Sequence, residues 1–68
     1  MRHIANYTLD EFKVMFEDVP YEIVEIVYNY YHRDKTYTVE AFAYNEGIST
    51  ATLYRYIHKI EKLFEKHK

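Results

Sequence analysis

The fold is decided by the stretch TVEAFAYNEGISTATLYRYI, residues 38–57, which contains the only glycine of the chain, Gly47. A glycine at this point supplies a positive φ for a tight turn, where any side chain costs energy. Ser49 follows it, and its hydroxyl is suited to cap a new helix by accepting a hydrogen bond from an early backbone N–H. Ala43 is small enough to let two helices approach closely. The stretch therefore predicts two short helices that cross steeply through a tight turn.

The segment before this stretch predicts a first helix. Thr8 and Glu11 have the spacing of a capping box, in which each side chain bonds the backbone N–H of the other residue. Apolar residues then recur at helical intervals and are expected to face inward: Leu9, Phe12 and Phe16.

A second helix is indicated by Pro20, whose fixed φ suits the first turn of a helix. Glu22 and Glu25 would lie favourably near the positive end of the helix dipole. The polar run at residues 32–35 ends this helix. Its expected buried stripe consists of Ile23, Ile26, Val27 and Tyr30.

The third and fourth helices have clear inner faces. The third begins near Thr38 and would bury Val39, Phe42 and Ala43. The fourth begins at Ser49, and its apolar sector comprises Leu53, Tyr56, Ile57, Ile60, Leu63 and Phe64. The opposite side of the fourth helix carries Ala51, Arg55, His58, Lys59, Lys62 and Lys66. One face of this helix is therefore expected to pack, and the other is free to bind.

Together these signals predict one domain, residues 1–68, with an all-α fold: a compact bundle of about four helices. A chain of 68 residues buries only about 60% of its unfolded-chain surface, so its stability is expected to be modest. The sequence after Ile60 continues a helical pattern and has no β-hairpin signal, so no wing is evident.

The composition excludes several classes of protein. There is no cysteine, so neither a disulfide nor a thiolate metal site can form, which fits a reducing compartment. No apolar run approaches the roughly 20 residues of a membrane span, and the N-terminus lacks the hydrophobic region of a signal peptide. A soluble cytoplasmic protein that begins naturally at Met1 and has no membrane partner is expected. No histidine pair, nucleophile set or phosphate loop has the required spacing, so we expect no enzyme activity, cofactor or metal site.

The charge is segregated along the chain, although the net charge of −2 by itself argues against a nucleic-acid partner. Residues 1–31 carry two basic and six acidic side chains. Residues 48–68 carry five basic and two acidic side chains, with two histidines in addition. The positive charge therefore lies on the fourth helix.

Residues 38–60 resemble the helix-turn-helix of bacterial and phage DNA-binding regulators. The phrase GISTATLYRYI, residues 47–57, is similar to the Gly-Val-Ser-x-x-Thr-Leu-Tyr-x-Tyr-Phe phrase of tetracycline-repressor-type regulators. Mga-type regulators, small phage regulators and transposases carry looser versions. The chain differs from the first family at Glu46, where a small residue is usual, and at Ile60, where a lysine is usual. The resemblance implies a trihelical core whose first helix lies within residues 19–35.

By this resemblance, a helix-turn-helix core at about residues 38–57 binds double-stranded DNA through the fourth helix, as in a small transcriptional regulator from a bacterium, phage or mobile element. Arg55 is the strongest candidate for a base contact, because its guanidinium can pair bidentately with guanine O6 and N7. Ala51 is a candidate for contact with a thymine methyl group, and Lys59 and Lys62 for contact with phosphates. The remaining candidates for base or phosphate contact are Ser49, Thr50, Thr52, Tyr54 and His58.

Each candidate also has a purely structural interpretation. Ser49 and Thr52 would serve only to start the helix. Lys62 would pair with Glu65 at i,i+3 spacing, whereas Lys59 has no carboxylate at helical spacing. The others would be ordinary surface residues of a helix: Ala51, Arg55 and His58.

The nine tyrosines are too many for the core of so small a domain. Tyr30 and Tyr56 fit the edge of the core with their hydroxyls outward. Five others cannot all be buried: Tyr21, Tyr28, Tyr31, Tyr37 and Tyr44. Because tyrosine is enriched at protein interfaces, the acidic N-terminal half is expected to form a homodimer or to bind a protein partner.

Two alternative functions stay open at this point. The chain could be a protein-interaction module that binds a regulator or polymerase subunit and uses the helix-turn-helix only as a scaffold, since fold does not fix function. It could also be the DNA-binding arm of a transposase or recombinase.

Overall fold

A computed structural model describes residues 2–66 of the chain. A short 3-10 helix at Ile4–Asn6 precedes four α-helices, which are α1 (Leu9–Met15), α2 (Tyr21–Tyr31), α3 (Val39–Glu46) and α4 (Thr50–Lys66). Residues 2–66 contain no β-strand, so the prediction of a compact all-α bundle is confirmed. Met1, His67 and Lys68 lie outside the described residues. The basic charge that His67 and Lys68 were expected to add to the fourth helix therefore also lies outside them.

The start of α1 is the predicted capping box. The Oγ1 atom of Thr8 accepts a hydrogen bond from the Glu11 backbone N–H at 3.2 Å, and Glu11 Oε1 accepts one from the Thr8 N–H at 2.8 Å. The other carboxylate oxygen of Glu11 lies 2.8 Å from Nη2 of Arg2. The backbone N–H of Thr8 and then the Arg2 guanidinium lower the pKa of Glu11. Both carboxylate oxygens of Glu11 are therefore bound by groups of the protein itself, and they fix the start of α1.

The buried side of α2 is wider than the predicted stripe. Of the predicted residues, Val27 is 0% exposed, while Ile23, Ile26 and Tyr30 are half-buried and pack against the core. Val24 was not predicted and is 1% exposed, because α2 packs against α1, α3 and α4 and is covered over a wider sector than a surface helix. Pro20 lies at the N-cap, one position earlier than predicted, and its carbonyl accepts a hydrogen bond from the Val24 N–H at 3.2 Å.

The core draws side chains from all four helices. Phe12 is fully buried, and its ring meets those of Phe16 and Tyr28 edge-on at centroid distances of 5.4 and 5.5 Å. Leu53 and Ile60 on α4 are 0% exposed, which confirms the predicted inner face of that helix. The remaining buried residues are Ile4, Val19, Val24, Val27, Phe42, Ala43 and Ile57. No polar side chain is buried in the described part of the chain.

The turn between α3 and α4 has the predicted positive φ and serine cap, whereas α4, at 17 residues, is not the short helix that was expected. Gly47 has a φ of 76°, and its N–H bonds the Tyr44 carbonyl at 3.1 Å while the Ile48 N–H bonds the Ala43 carbonyl at 3.1 Å. This pair of bonds is the Schellman motif, which satisfies the last carbonyls of a helix. A Cβ at Gly47 would meet no atom within 4 Å, so only the positive φ requires glycine. Ser49 caps α4 by accepting a hydrogen bond from the Thr52 N–H at 3.1 Å.

The loop between α2 and α3 is held by Arg33, which the sequence indicated only as part of a polar run. Its Nη1 donates to the Tyr30 carbonyl at 2.8 Å and its Nε to the Tyr37 carbonyl at 3.0 Å, while the guanidinium stacks over the Tyr30 ring at 4.3 Å. Asp34 closes the loop by accepting from the backbone and hydroxyl of Thr36, which lowers the pKa of Asp34. This arginine is therefore bound to the protein itself and is not a free surface cation.

Candidate nucleic-acid interface

The outward face of α4 is an uninterrupted basic surface. Its six residues, which we call the basic face, are all solvent-exposed: Ala51, Arg55, His58, Lys59, Lys62 and Lys66. Leu53, Ile57 and Ile60 lie on the opposite side of the helix at 0%, 6% and 0% exposure. The division that the sequence predicted for this helix is therefore confirmed.

A chain of hydrogen bonds fixes the first turns of α4. The Ser49 hydroxyl donates to Thr52 Oγ1 at 3.0 Å, and Nη2 of Arg55 donates to the same Oγ1 atom at 3.0 Å. Thr52 thus accepts two hydrogen bonds, and its own hydroxyl hydrogen is available for a third partner. Arg55 spends one of its five N–H donors in this way and presents the rest to solvent. The Arg55 side chain is therefore anchored at the start of the helix.

The lysines of the basic face carry uncompensated charge. Within residues 2–66 the one ion pair joins Arg2 and Glu11, so the expected pairing of Lys62 with Glu65 is absent there. An exposed pair of this kind gains only about 0.3–0.5 kcal/mol, which is too little to order two long side chains. Lys59 and Lys62 are both available to an external anion.

Two predicted residues lie beside the basic face. Thr50 is half-buried in the first turn of α4, and Tyr54 is 46% exposed. At 100° per residue, Tyr54 shares a side of the helix with Glu61 and Glu65. The structure therefore groups Ser49, Thr52 and the basic face on one surface and leaves Thr50 and Tyr54 at its acidic edge.

The position of Ile60 removes one contact that the family resemblance suggested. This residue occupies the place of the usual lysine in tetracycline-repressor-type regulators, and here its side chain is 0% exposed. A phosphate contact from position 60 is therefore impossible. Lys59, the neighbouring residue, is exposed and supplies the positive charge instead.

A contact that the sequence did not predict joins α2 to α4. The Tyr31 hydroxyl donates to Glu61 Oε2 at 2.6 Å and so joins α2 to α4. Burial, followed by this hydrogen bond, raises the pKa of Tyr31. Because the two residues are 30 positions apart, no local pattern could have paired them. The bond keeps the Glu61 carboxylate at the α2 side of α4, away from the basic face.

Other kinds of site have less support in the described residues. No group of three or more His, Asp or Glu side chains within residues 2–66 is placed to hold a metal ion. None of the helices in this part of the chain combines the length and the apolar character needed to cross a membrane. No protein-family model, curated protein or solved structure matches the chain. The case for a function therefore depends on the geometry of α4.

Proposed function

We propose that the protein binds double-stranded DNA by placing the basic face of α4 in the major groove, as a sequence-specific transcriptional regulator of the bacterial or phage type. The observation that carries the proposal is the basic face itself. Arg55, Lys59, Lys62 and Lys66 are exposed and have no ion pair within residues 2–66, on a helix whose start is fixed by a Schellman turn and a serine cap. A helix of this kind fits the major groove, which is about 12 Å wide.

The order of residues along α4 suits contacts with bases near its N-terminal end and with phosphates further along. Arg55 lies near the N-terminal end, where a recognition helix meets base edges. Its free N–H donors can bond guanine O6 and N7, a contact worth about 1–3 kcal/mol of discrimination. Thr52 offers its hydroxyl hydrogen and Ala51 a methyl group on the same turn. Lys59 and Lys62 follow further along, where they would contact phosphates and set the register without reading sequence.

The segregation of charge reconciles this proposal with a net charge of −2. All six acidic residues among residues 1–31 lie between positions 10 and 25, on α1, α2 and the turn that joins them. If three to four cations of α4 contact phosphates, log K should fall against log salt with a slope of roughly −3 to −4. Such a steep dependence would distinguish groove binding from weak binding through hydroxyl groups alone.

Fluorescence anisotropy with a labelled pool of duplex DNA tests the proposal. Wild type should bind at low salt and weaken steeply at moderate salt. Arg55→Ala and Lys59→Ala should both weaken binding, Lys59→Ala with a salt slope smaller by about one. The matched control is Lys13→Ala, which removes one positive charge from α1, where Lys13 lies 4.9 Å from the centre of the Tyr21 ring.

Two results would refute the proposal. One is an absence of binding at low salt and high protein concentration. The other is an equal loss of affinity in Lys13→Ala and Lys59→Ala, because that would mean that net charge and not the basic face governs the interaction. Circular dichroism of each variant checks that the helices are retained.

A further inference from the structure

An apolar groove runs along the outer side of α1. Its volume is about 350 Å³, and it is lined by Tyr7, Asp10, Glu11, Val14 and Met15. Val14 is 74% exposed, although its neighbours Phe12 and Phe16 on the same helix are 0% and 2% exposed. Leaving a valine side chain in water forgoes at least about 1.5 kcal/mol of burial free energy. We call this feature the α1 groove.

The α1 groove lies in an acidic part of the sequence. Residues 7–25 hold six acidic side chains and a single lysine. Glu11 is neutralised by Arg2, whereas Asp10, Glu17 and Asp18 are exposed and have no ion pair within residues 2–66. A ligand of this groove must therefore bring apolar side chains together with positive charge.

A second copy of the chain does not meet that requirement. A two-fold dimer would bring the same acidic side chains of both copies together, and like charges at an interface cost free energy. A head-to-tail contact with α4 would supply lysines but few apolar groups. Tyr54 is the one large apolar side chain of α4 that is exposed within the described residues, and it lies on the side of Glu61 and Glu65. DNA is excluded from this acidic surface by its own charge.

We propose that the α1 groove binds a different protein, through an amphipathic helix whose aliphatic stripe is flanked by lysine or arginine residues. Helix-in-groove recognition uses apolar anchors at i, i+3 or i+4 and i+7. The groove follows a helix of seven residues, about 10 Å long, so it accommodates roughly two turns of the partner. A contact of this size belongs to the small, transient class of interfaces. The basic face of α4 stays uncovered, so the inference goes beyond DNA binding and does not depend on it.

The probe for this proposal is a labelled synthetic helix of about 14 residues with leucine at the i, i+3, i+4 and i+7 positions and lysine elsewhere. Anisotropy should show saturable binding to wild type. Val14→Gln, which replaces an exposed valine by a better helix former, should weaken binding about ten-fold, and Asp10→Asn should weaken it a few-fold. Tyr44→Ser is the matched control, because Tyr44 is 84% exposed on α3 and has no contact with the groove.

Three results would overturn the proposal. The first is equal binding of a peptide with the same composition whose leucines are scrambled out of the stripe, since charge alone would then explain it. The second is unchanged binding in Val14→Gln. The third is a dimer of the chain, seen by sedimentation, that Val14→Gln dissociates. Val14→Gln should bind duplex DNA as wild type does. A loss of peptide binding can therefore be distinguished from a loss of DNA binding.

Discussion

The helices α1 and α4 begin in chemically different ways, and the difference decides what their surfaces can do. The start of α1 uses a charged residue, because Glu11 closes the capping box and also holds Arg2. The start of α4 uses neutral hydroxyls, because Ser49 caps the helix and Thr52 accepts from Ser49 and Arg55. Both helices have a hydroxyl cap, Thr8 in α1 and Ser49 in α4, but only the start of α1 also engages a carboxylate. The surface of α1 is correspondingly acidic with one exposed aliphatic residue, and that of α4 is basic.

The largest loss of stability is expected from a change at Gly47, in the turn that precedes α4. Gly47→Ala forces a side chain into φ 76°, which costs about 1–2 kcal/mol of unfolding free energy. Gly47→Asn should cost less, because asparagine tolerates the left-handed region. Urea denaturation measures both. An alanine variant as stable as wild type would show that the start of α4 does not need this turn.

The hydroxyl chain at the start of α4 should have a smaller effect, on binding and not on folding. Thr52→Val keeps the backbone N–H bond to Ser49 but removes the acceptor that holds Arg55. We expect a few-fold loss of DNA affinity with the unfolding free energy nearly unchanged. In an Arg55→Ala background the same substitution should have a smaller effect, because only a direct contact of the Thr52 hydroxyl with DNA is then left to lose, and a double-mutant cycle by anisotropy measures the difference. Additive losses would mean that Thr52 contacts DNA independently of Arg55.

The smallest effect should appear at the start of α1 and only in acid. The pKa of Glu11 in the folded protein lies below its ordinary value of 4.5, so its stabilisation is present above about pH 4.5 and is lost as the pH falls through the folded pKa. Glu11→Gln should therefore lose less thermal stability than wild type between pH 6 and pH 3. Glu17→Gln is the control and should follow wild type, because Glu17 is exposed beyond the end of α1 and has no ion pair within residues 2–66. An identical acid dependence in wild type and Glu11→Gln would contradict the role of the charge.

Local patterns in the sequence were sufficient for the helix starts and for α4. The capping box, the positive φ of Gly47 and the serine cap each depend on residues within a few positions of one another, so spacing alone predicted them. The inner face of α4 was also predicted, because this helix packs on one side only. The basic face was predicted as the side of α4 opposite to this inner face.

Local sequence patterns could not predict contacts between distant segments. The burial of Val24 was missed because three helices cover α2, and periodicity describes only one buried side. The bond from Tyr31 to Glu61 and the binding of Arg33 to two carbonyls depend on the relative placement of helices. The exposure of Val14 could have been predicted, because at 100° per residue it lies about 200° from Phe12, opposite the predicted inner stripe of α1.

The apolar composition of the core affects which substitutions related sequences can accept. With no polar side chain buried within residues 2–66, nothing in the centre requires one particular partner, and aliphatic residues of similar volume can replace one another there at small cost. The contact of Tyr31 with Glu61 is of the opposite kind, because it needs one specific donor on α2 and one specific acceptor on α4. Related chains should therefore vary independently at Val24 and Val27, and should exchange positions 31 and 61 as a pair.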